Sequence, residues 1–484
     1  MTITLFRAAS ALALAGLAAC ASAPEYNRVA VDVPVTWQIE PPWREAAPGD
    51  TLAKGPWWRR FDDADLDALE VKALDANATL AAANARLAQA RASLAAASAA
   101  QFPQVSLSSR LGRAKISAER PQTNYASPNF STVQNDFLGS LAVSYEVDLG
   151  GRVRSTVENA RAALEQSSAD LENTRLLITA DLATAYFSLR ETDLELDVLA
   201  RALDLQRRGL EFATARHDLG AASGIDIAQQ QALLDATLTQ VDVLRKQRAQ
   251  FEHAIATLTG VPAPAFAIAP RVAQVVVPAV PIGVPSDILQ RRPDVASAER
   301  AMAAANAQIG VANAAFYPSI FLTPSYGVES TALSSLATYP ATIWSLGVSL
   351  LQPLFDAGRI RANVDFAQAG YDVTVANYRR VVLTAMQEAE DGITGLAALD
   401  RASAQARVAI TSSQRVLELA NARYEGGVAT YLDVITAQQA LLNNERLATQ
   451  LQGQQLLTTV FLVKALGGDW EGVARPTRVG AVTR

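Results

Sequence analysis

The chain has 484 residues, 50% of them hydrophobic but only 6% aromatic, with a net charge of −6 and a pI near 5.3. Apolar content dominated by Ala and Leu suits long helices packed side by side, and the acidic balance argues against a nucleic-acid partner. Two histidines, His217 and His253, cannot furnish a metal site on their own, and the text holds no phosphate-cradling glycine loop, HExxH or nucleophile elbow, so neither a cofactor nor a catalytic site is expected.

Residues 1–19 read as a secretion signal: a short positive start, then an apolar run too brief to span a bilayer. It ends in Leu17-Ala18-Ala19-Cys20, which resembles the lipobox of bacterial lipoproteins, so the thiol of Cys20, the only cysteine, is expected to be acylated. Ala21 follows, not the aspartate that by family analogy retains lipoproteins at the inner membrane. The expected address is therefore the outer membrane of a Gram-negative cell. A Pro-rich lead covers 20–56. After Cys20 no stretch reaches the ~18 consecutive apolar residues of a transmembrane helix, so whatever enters a membrane must do so as strands.

Two similar halves follow, 57–260 and 286–467, separated by a Pro-rich linker at 261–285 and ending in a tail at 468–484. Each opens with an Ala-rich helix halted by proline, before Phe102-Pro103 and before Phe316-Tyr317-Pro318. Alternating text comes next, with strands near 104–113, 137–148, 319–328 and 342–351. In FLGSLAVSYEV, Leu141, Val143, Tyr145 and Val147 share one face, while Ser140, Ala142, Ser144 and Glu146 share the other. In TIWSLGVSL, Trp344, Leu346, Val348 and Leu350 oppose Ser345, Gly347 and Ser349. About ten residues per strand suffice to cross a bilayer when tilted, and Tyr145 and Trp344 suit its interface.

Glycines at Gly150-Gly151 and Gly358 then turn the chain into a very long helical pattern. Leu182, Leu189, Leu196, Leu203 and Leu210 recur at heptad spacing, as do Val157, Leu164, Leu171, Ile178 and Ala185; the second half has Leu396, Ile410 and Leu417, with Ser403 interrupting. Such a helix of about 65 residues would be on the order of 100 Å long. Each ends in a hairpin, and the hairpin text recurs: ARHDLGAASGIDIAQQQALLD at 215–235 and ARYEGGVATYLDVITAQQALL at 422–442. The tips lie near 217–226 and 424–433, turning at Gly220 and at Gly426-Gly427. Asp226 and Asp433 follow the turns, where negative charge stabilises a helix start. The tips are expected at the membrane-distal end.

The segments Trp57-Trp58-Arg59-Arg60-Phe61, ILQRRPDVASAERAMAAANAQIG at 288–310 and Asp148-Leu149-Gly150-Gly151-Arg152, with both tips, resemble the TolC superfamily of outer-membrane efflux ducts. More narrowly, they resemble the NodT-like lipoprotein outer-membrane factors of resistance–nodulation–division pumps. The resemblance implies a mainly α fold with membrane β: a trimeric 12-stranded β-barrel, four strands per chain, continuous with a long periplasmic α-helical coiled-coil barrel. It implies a homotrimer set in outer-membrane lipid, docked on a periplasmic adaptor and an inner-membrane pump and conducting substrate passively. It places a periplasmic gate at Asp433, Asp226 and Tyr424, with Tyr424 bonding Asp226, and puts Thr436 and Ala429 where better-known relatives carry an acid and a helix-linking arginine. Gly220, Gly426, Gly427, Arg216 and Arg423 are the expected turn and adaptor-docking residues. A type I secretion duct is the nearest alternative; an adaptor or coiled-coil scaffold would leave the paired strands without a role.

Overall fold

A computed structural model describes Tyr26 and residues 55–115, 133–273, 275–278, 280 and 291–468. The signal at 1–19, Cys20, the Pro-rich lead apart from Tyr26, Gly55 and Pro56, and the residues after 468 lie outside the described residues. The chain divides into two compact units: 1–29, 86–167 and 298–378 in one, and 30–85, 168–297 and 379–484 in the other. Each unit draws on both halves of the sequence.

The first unit is built on a sheet. Strands β1 (Gln104–Lys115) and β2 (Val133–Val147) form an antiparallel ladder from Gln104↔Ser144 to Lys115↔Val133. On its other side β2 pairs with β3 (Ser319–Leu322) and β4 (Ser325–Ser330), and these pair with β6 (Val348–Leu351) and β5 (Thr342–Ser345) respectively. The pairs Tyr145↔Leu322 and Ala142↔Ser325 keep one register, so β3 and β4 are a single strand interrupted at Thr323-Pro324. Proline has no N–H to give the ladder, though its carbonyl still accepts from Val143 N at 2.9 Å. Likewise Leu322↔Val348 and Ser325↔Ser345 make β5 and β6 one strand, broken at Leu346-Gly347. A Cβ on Gly347 would lie 2.5 Å from Thr323 Oγ1, so this close crossing needs glycine. The result is a four-stranded meander. Among the described residues, β1 and the β5–β6 strand each have a partner on one side only.

Paired residues share a face and neighbours along a strand alternate. One face therefore carries Leu107, Leu141, Val143, Tyr326, Trp344 and Val348; the other carries Ser106, Ser108, Ser140, Ser144, Ser345 and Ser349. The serines bond across the strands, Ser108 Oγ to Ser140 Oγ at 2.9 Å and Ser325 Oγ to Ser345 Oγ at 2.8 Å. Leu107, Tyr326, Trp344 and Val348 are all exposed in the single chain.

Among the described residues the α-helices are α1 (Ala64–Ala76), α2 (Ala78–Ala99), α3 (Arg152–Asp218), α4 (Gly224–Leu258), α5 (Pro293–Ala314), α6 (Arg359–Glu425) and α7 (Tyr431–Ala465). The two long helices start alike. Asp148 accepts from Val153 N and Arg154 N, and Asp356 accepts from Gly358 N and Ile360 N, satisfying helix-start amides that have no intrahelical partner. Gly151 and Gly358, at φ +72° and +88°, make the turns.

In the second unit the heptad positions face inward: Leu182 and Leu189 are fully buried and Leu203 nearly so, as are Tyr186, Phe187 and Leu199 on the same helix. Each such side chain contributes roughly 1.5–3 kcal/mol. The Pro-rich text after α4 is held down by charge. Arg271 pairs with Asp63 and Asp65, Arg190 Nη1 donates to Ala269 O at 2.9 Å, and Arg248 Nη2 donates to Ile268 O at 2.7 Å. Asp193 stands between Arg190 and Arg248 at 3.0 and 2.6 Å with a side chain 1% exposed. Asp63 also caps α1 and accepts from Tyr186. Burial would raise its carboxyl, but the Leu66 amide, Tyr186 and Arg271 together hold it below the usual range.

Candidate functional site

The second unit contains both hairpin tips. In the first, α3 ends at Asp218, Gly220 turns at φ +75° and Ala221 N donates back to Arg216 O at 2.8 Å. In the second, α6 ends at Glu425, Gly427 turns at φ +71° and Val428 N donates to Arg423 O at 3.0 Å. Both are helix C-termini closed by a left-handed residue. Gly426, one residue earlier, donates to Ala422 O. Arg423 is exposed.

Each return helix starts from the same device. Asp226 lies three residues after the N-cap Ser223 and turns its carboxylate back to accept the Ser223 N–H at 3.4 Å. Asp433 stands in the same relation to Thr430, accepting the backbone N–H at 3.0 Å and the hydroxyl at 3.1 Å. Reciprocal capping of this kind satisfies amides at the exposed start of a helix. The hydrogen bond expected between Tyr424 and Asp226 is not made within this chain. Asp226 is committed to its own N-cap, and the buried Tyr424 hydroxyl has no hydrogen-bond partner among the described residues. The two groups are still electrostatic neighbours. Burial raises the Tyr424 phenol, Arg216 lowers it and Asp226 raises it further.

Arg216 joins the tips instead. Its guanidinium lies 4.7 Å over the Tyr424 ring, Nη1 donates to Tyr424 O at 3.3 Å and Nη2 to Ala221 O at 3.4 Å. Tyr424 packs 5.0 Å from Tyr431 and edge-on to Phe212 at 6.2 Å, above a cluster that includes Ala213, Leu417, Val434 and Ala437. Tyr431 Oη donates to Gln230 Oε1 at 3.1 Å, and Gln230 Nε2 donates to Gln206 O at 2.8 Å. Burial pushes the Tyr431 phenol up to about 12.

This contact is possible because residue 209 is glycine: a Cβ there would sit 2.7 Å from Tyr431 Oη. Gly209, Gln206, Gln230 and Tyr431 were not expected site residues. The available signal was a glycine inside a long heptad pattern, which marks a close approach.

Comparison with known proteins fits this geometry. The family model for outer membrane efflux proteins matches residues 69–261 and 284–468. Outer membrane protein OprJ of Pseudomonas aeruginosa is 32% identical over 466 residues, 94% of this chain and 94% of that protein. The toluene efflux pump outer membrane protein TtgF of Pseudomonas putida is 30% identical over 467 residues, covering 95% and 96%. Among solved structures, the outer-membrane channel OprN superposes with a TM-score of 0.83 at 27% identity, over 93% of this chain and 100% of that one. A membrane protein from Pseudomonas aeruginosa superposes at 0.84 with 30% identity over 93% and 100%. With two helical hairpins, an amphipathic sheet and relatives matched along nearly their whole length, the chain belongs to the outer membrane efflux protein family and is an outer-membrane efflux channel protein.

Proposed function

We propose that three copies of this chain join through the edges of β1 and β5–β6 into a 12-stranded barrel, and that their six hairpins form a periplasmic tube. Substrate passes down this duct passively, handed over by a periplasmic adaptor and an inner-membrane pump of the resistance–nodulation–division type. Carrying this reading is the sheet itself: four strands with one apolar and one serine-rich face, and an edge on either side that lacks a partner among the described residues of the single chain. An unpaired edge cannot face lipid. Twelve strands leave room for an aqueous bore, whereas eight would be filled by side chains. By their names OprJ is an outer membrane protein and TtgF is the outer membrane protein of a toluene efflux pump.

The chain is organised as two repeats, 57–260 and 286–467, joined by the linker at 261–285. Cys20 carries the lipid anchor. At the tips Asp433 rings the closed aperture, Tyr424 and Asp226 contribute to the latch, and Gly220, Gly426, Gly427, Arg216 and Arg423 shape the surface that meets the adaptor. Planar-bilayer recording with detergent-solubilised protein tests the whole. Particles near three times the mature chain mass should give single-channel steps, and labels at Leu141 and Val143 should report lipid while labels at Ser140 and Ser144 report water. A monomer without steps, or reversed labelling, refutes it. Loss of lipoprotein processing in Cys20→Ser checks the anchor.

A further inference from the structure

The serine-rich face of the sheet is smooth in its middle rows. Successive rows across the strands read Ser106, Ala142, Ser325 and then Ser108, Ser140, Gly327. The next row, toward the Lys115 end of β1 and the Val133 end of β2, is different: Arg110, Leu138 and Glu329 lie side by side on three strands, and Asp136 follows two residues along β2 on the same face. Arg110 Nε donates to Asp136 Oδ2 at 2.7 Å, and Arg110 Nη2 lies 2.6 Å from Asp136 and 3.6 Å from Glu329.

Stability does not account for this cluster. Its side chains are 59%, 35% and 46% exposed, and exposed ion pairs contribute ~0–1 kcal/mol. What the row does is project long charged groups just beyond two rows made of Ser, Ala and Gly. One guanidinium stands against two carboxylates, so the cluster carries one net negative charge per chain, and Glu329 is the more loosely held acid.

We infer that Arg110, Asp136 and Glu329 form a charged belt inside the strand-lined bore that favours cations. It is a point of ionic selectivity built from different residues than the tip aspartates. This rests on the proposal that the serine face lines the bore. Arg110 is the balancing residue: it neutralises one carboxylate and draws both toward the wall, and Glu329 supplies the charge that passing ions meet. In three copies the belt repeats around the axis, where narrow charged rings act on ions more strongly than isolated surface charges do.

Reversal potentials across a KCl gradient, measured on full-length protein in planar bilayers, decide the matter. Glu329→Gln should lower the cation-to-anion permeability ratio about threefold, the Boltzmann factor of one unit charge at ~7 Å in water. Arg110→Gln should raise it by a similar factor, and Arg110→Lys, which keeps the charge, should leave it near wild type. Block by hexamminecobalt(III) added from the side of Lys115 and Val133 should weaken in Glu329→Gln and strengthen in Arg110→Gln. Unchanged ratios and unchanged block in both charge-removing variants, with oligomer mass and conductance steps intact, would overturn the belt alone. Wild-type protein that gives no steps would overturn the channel reading and the belt with it.

Discussion

Replacing Gly209 by alanine sets two effects of opposite sign against each other. In an exposed helix, alanine is favoured over glycine by ~1 kcal/mol, so propensity alone makes α3 more stable. The contacts oppose this. The added Cβ would lie 2.7 Å from Tyr431 Oη and 3.2 Å from Gln230 Nε2, and Tyr431 is held by the Tyr424 ring 5.0 Å away. Relief requires the hydroxyl to leave its 3.1 Å bond to Gln230, a residue with no exposed surface. An unpaired buried amide costs ~1–3 kcal/mol, and overpacking adds ~1–3 kcal/mol. Less the gain in propensity, the tip should be destabilised by roughly 1–5 kcal/mol.

Hydrogen exchange of the tip amides reads this locally, and the expected acceleration is from about 5-fold to several thousandfold. Gly370, on α6, is the control, because a Cβ added there would meet nothing within 4 Å: Gly370→Ala should slow exchange or leave it unchanged. Tyr431→Phe removes the colliding hydroxyl, so the double variant should lose less than the sum of the two singles. Exchange in Gly209→Ala no faster than in Gly370→Ala would mean that propensity outweighs the contact, and the close approach would then have no energetic consequence.

Arg216→Ala should loosen the link between the tips by ~1–2 kcal/mol and raise resting single-channel conductance. Arg216→Lys should rescue only part, since an ammonium cannot lie flat on the Tyr424 ring; wild-type conductance in the alanine variant counts against the link. Burial first, and Glu195 second, push the Glu191 carboxyl up to about 7 from 4.5, so the folded chain holds that proton more tightly than the unfolded chain does. Its stabilising contribution is complete below about 4.5 and is lost as pH rises through 7. Glu191→Gln should therefore match wild type in thermal melts at pH 4.5 and exceed it at pH 8, by at most about 3 kcal/mol; an equal gain at both values would show that charge is not the cause. Asp193→Ala leaves Arg190 and Arg248 facing each other without the shared acid, at a cost of ~3–5 kcal/mol, visible as a fall in the thermal midpoint of helical circular dichroism.

Much of this architecture is legible in one dimension because its rules are local. Heptads state which side of α3 and α6 is buried, and Leu182 and Leu189 are indeed fully inside. Alternation at Leu141 to Val147 states two faces, proline after each Ala-rich helix states a stop, and glycine at 220 and 427 states a turn. Each of these depends on residues within a few positions of one another. Even Asp226 and Asp433 are readable as helix-start acids, since a capping box spans only four residues.

Other features depend on residues brought together from distant parts of the chain. No local pattern says that β2 takes β1 on one side and β3–β4 on the other, or that Pro324 and Gly347 interrupt neighbouring strands without shifting their register. The Pro-rich text after α4 reads as a spacer, yet Arg271 ties it to Asp63 and Asp65, about two hundred positions earlier. At the tips, Tyr424 meets Arg216 in place of a bond to Asp226, and Gly209 makes room for Tyr431. Periodicity assigns a residue to a face, but which partner occupies that face is settled by packing, where a buried polar group must find a partner or cost energy.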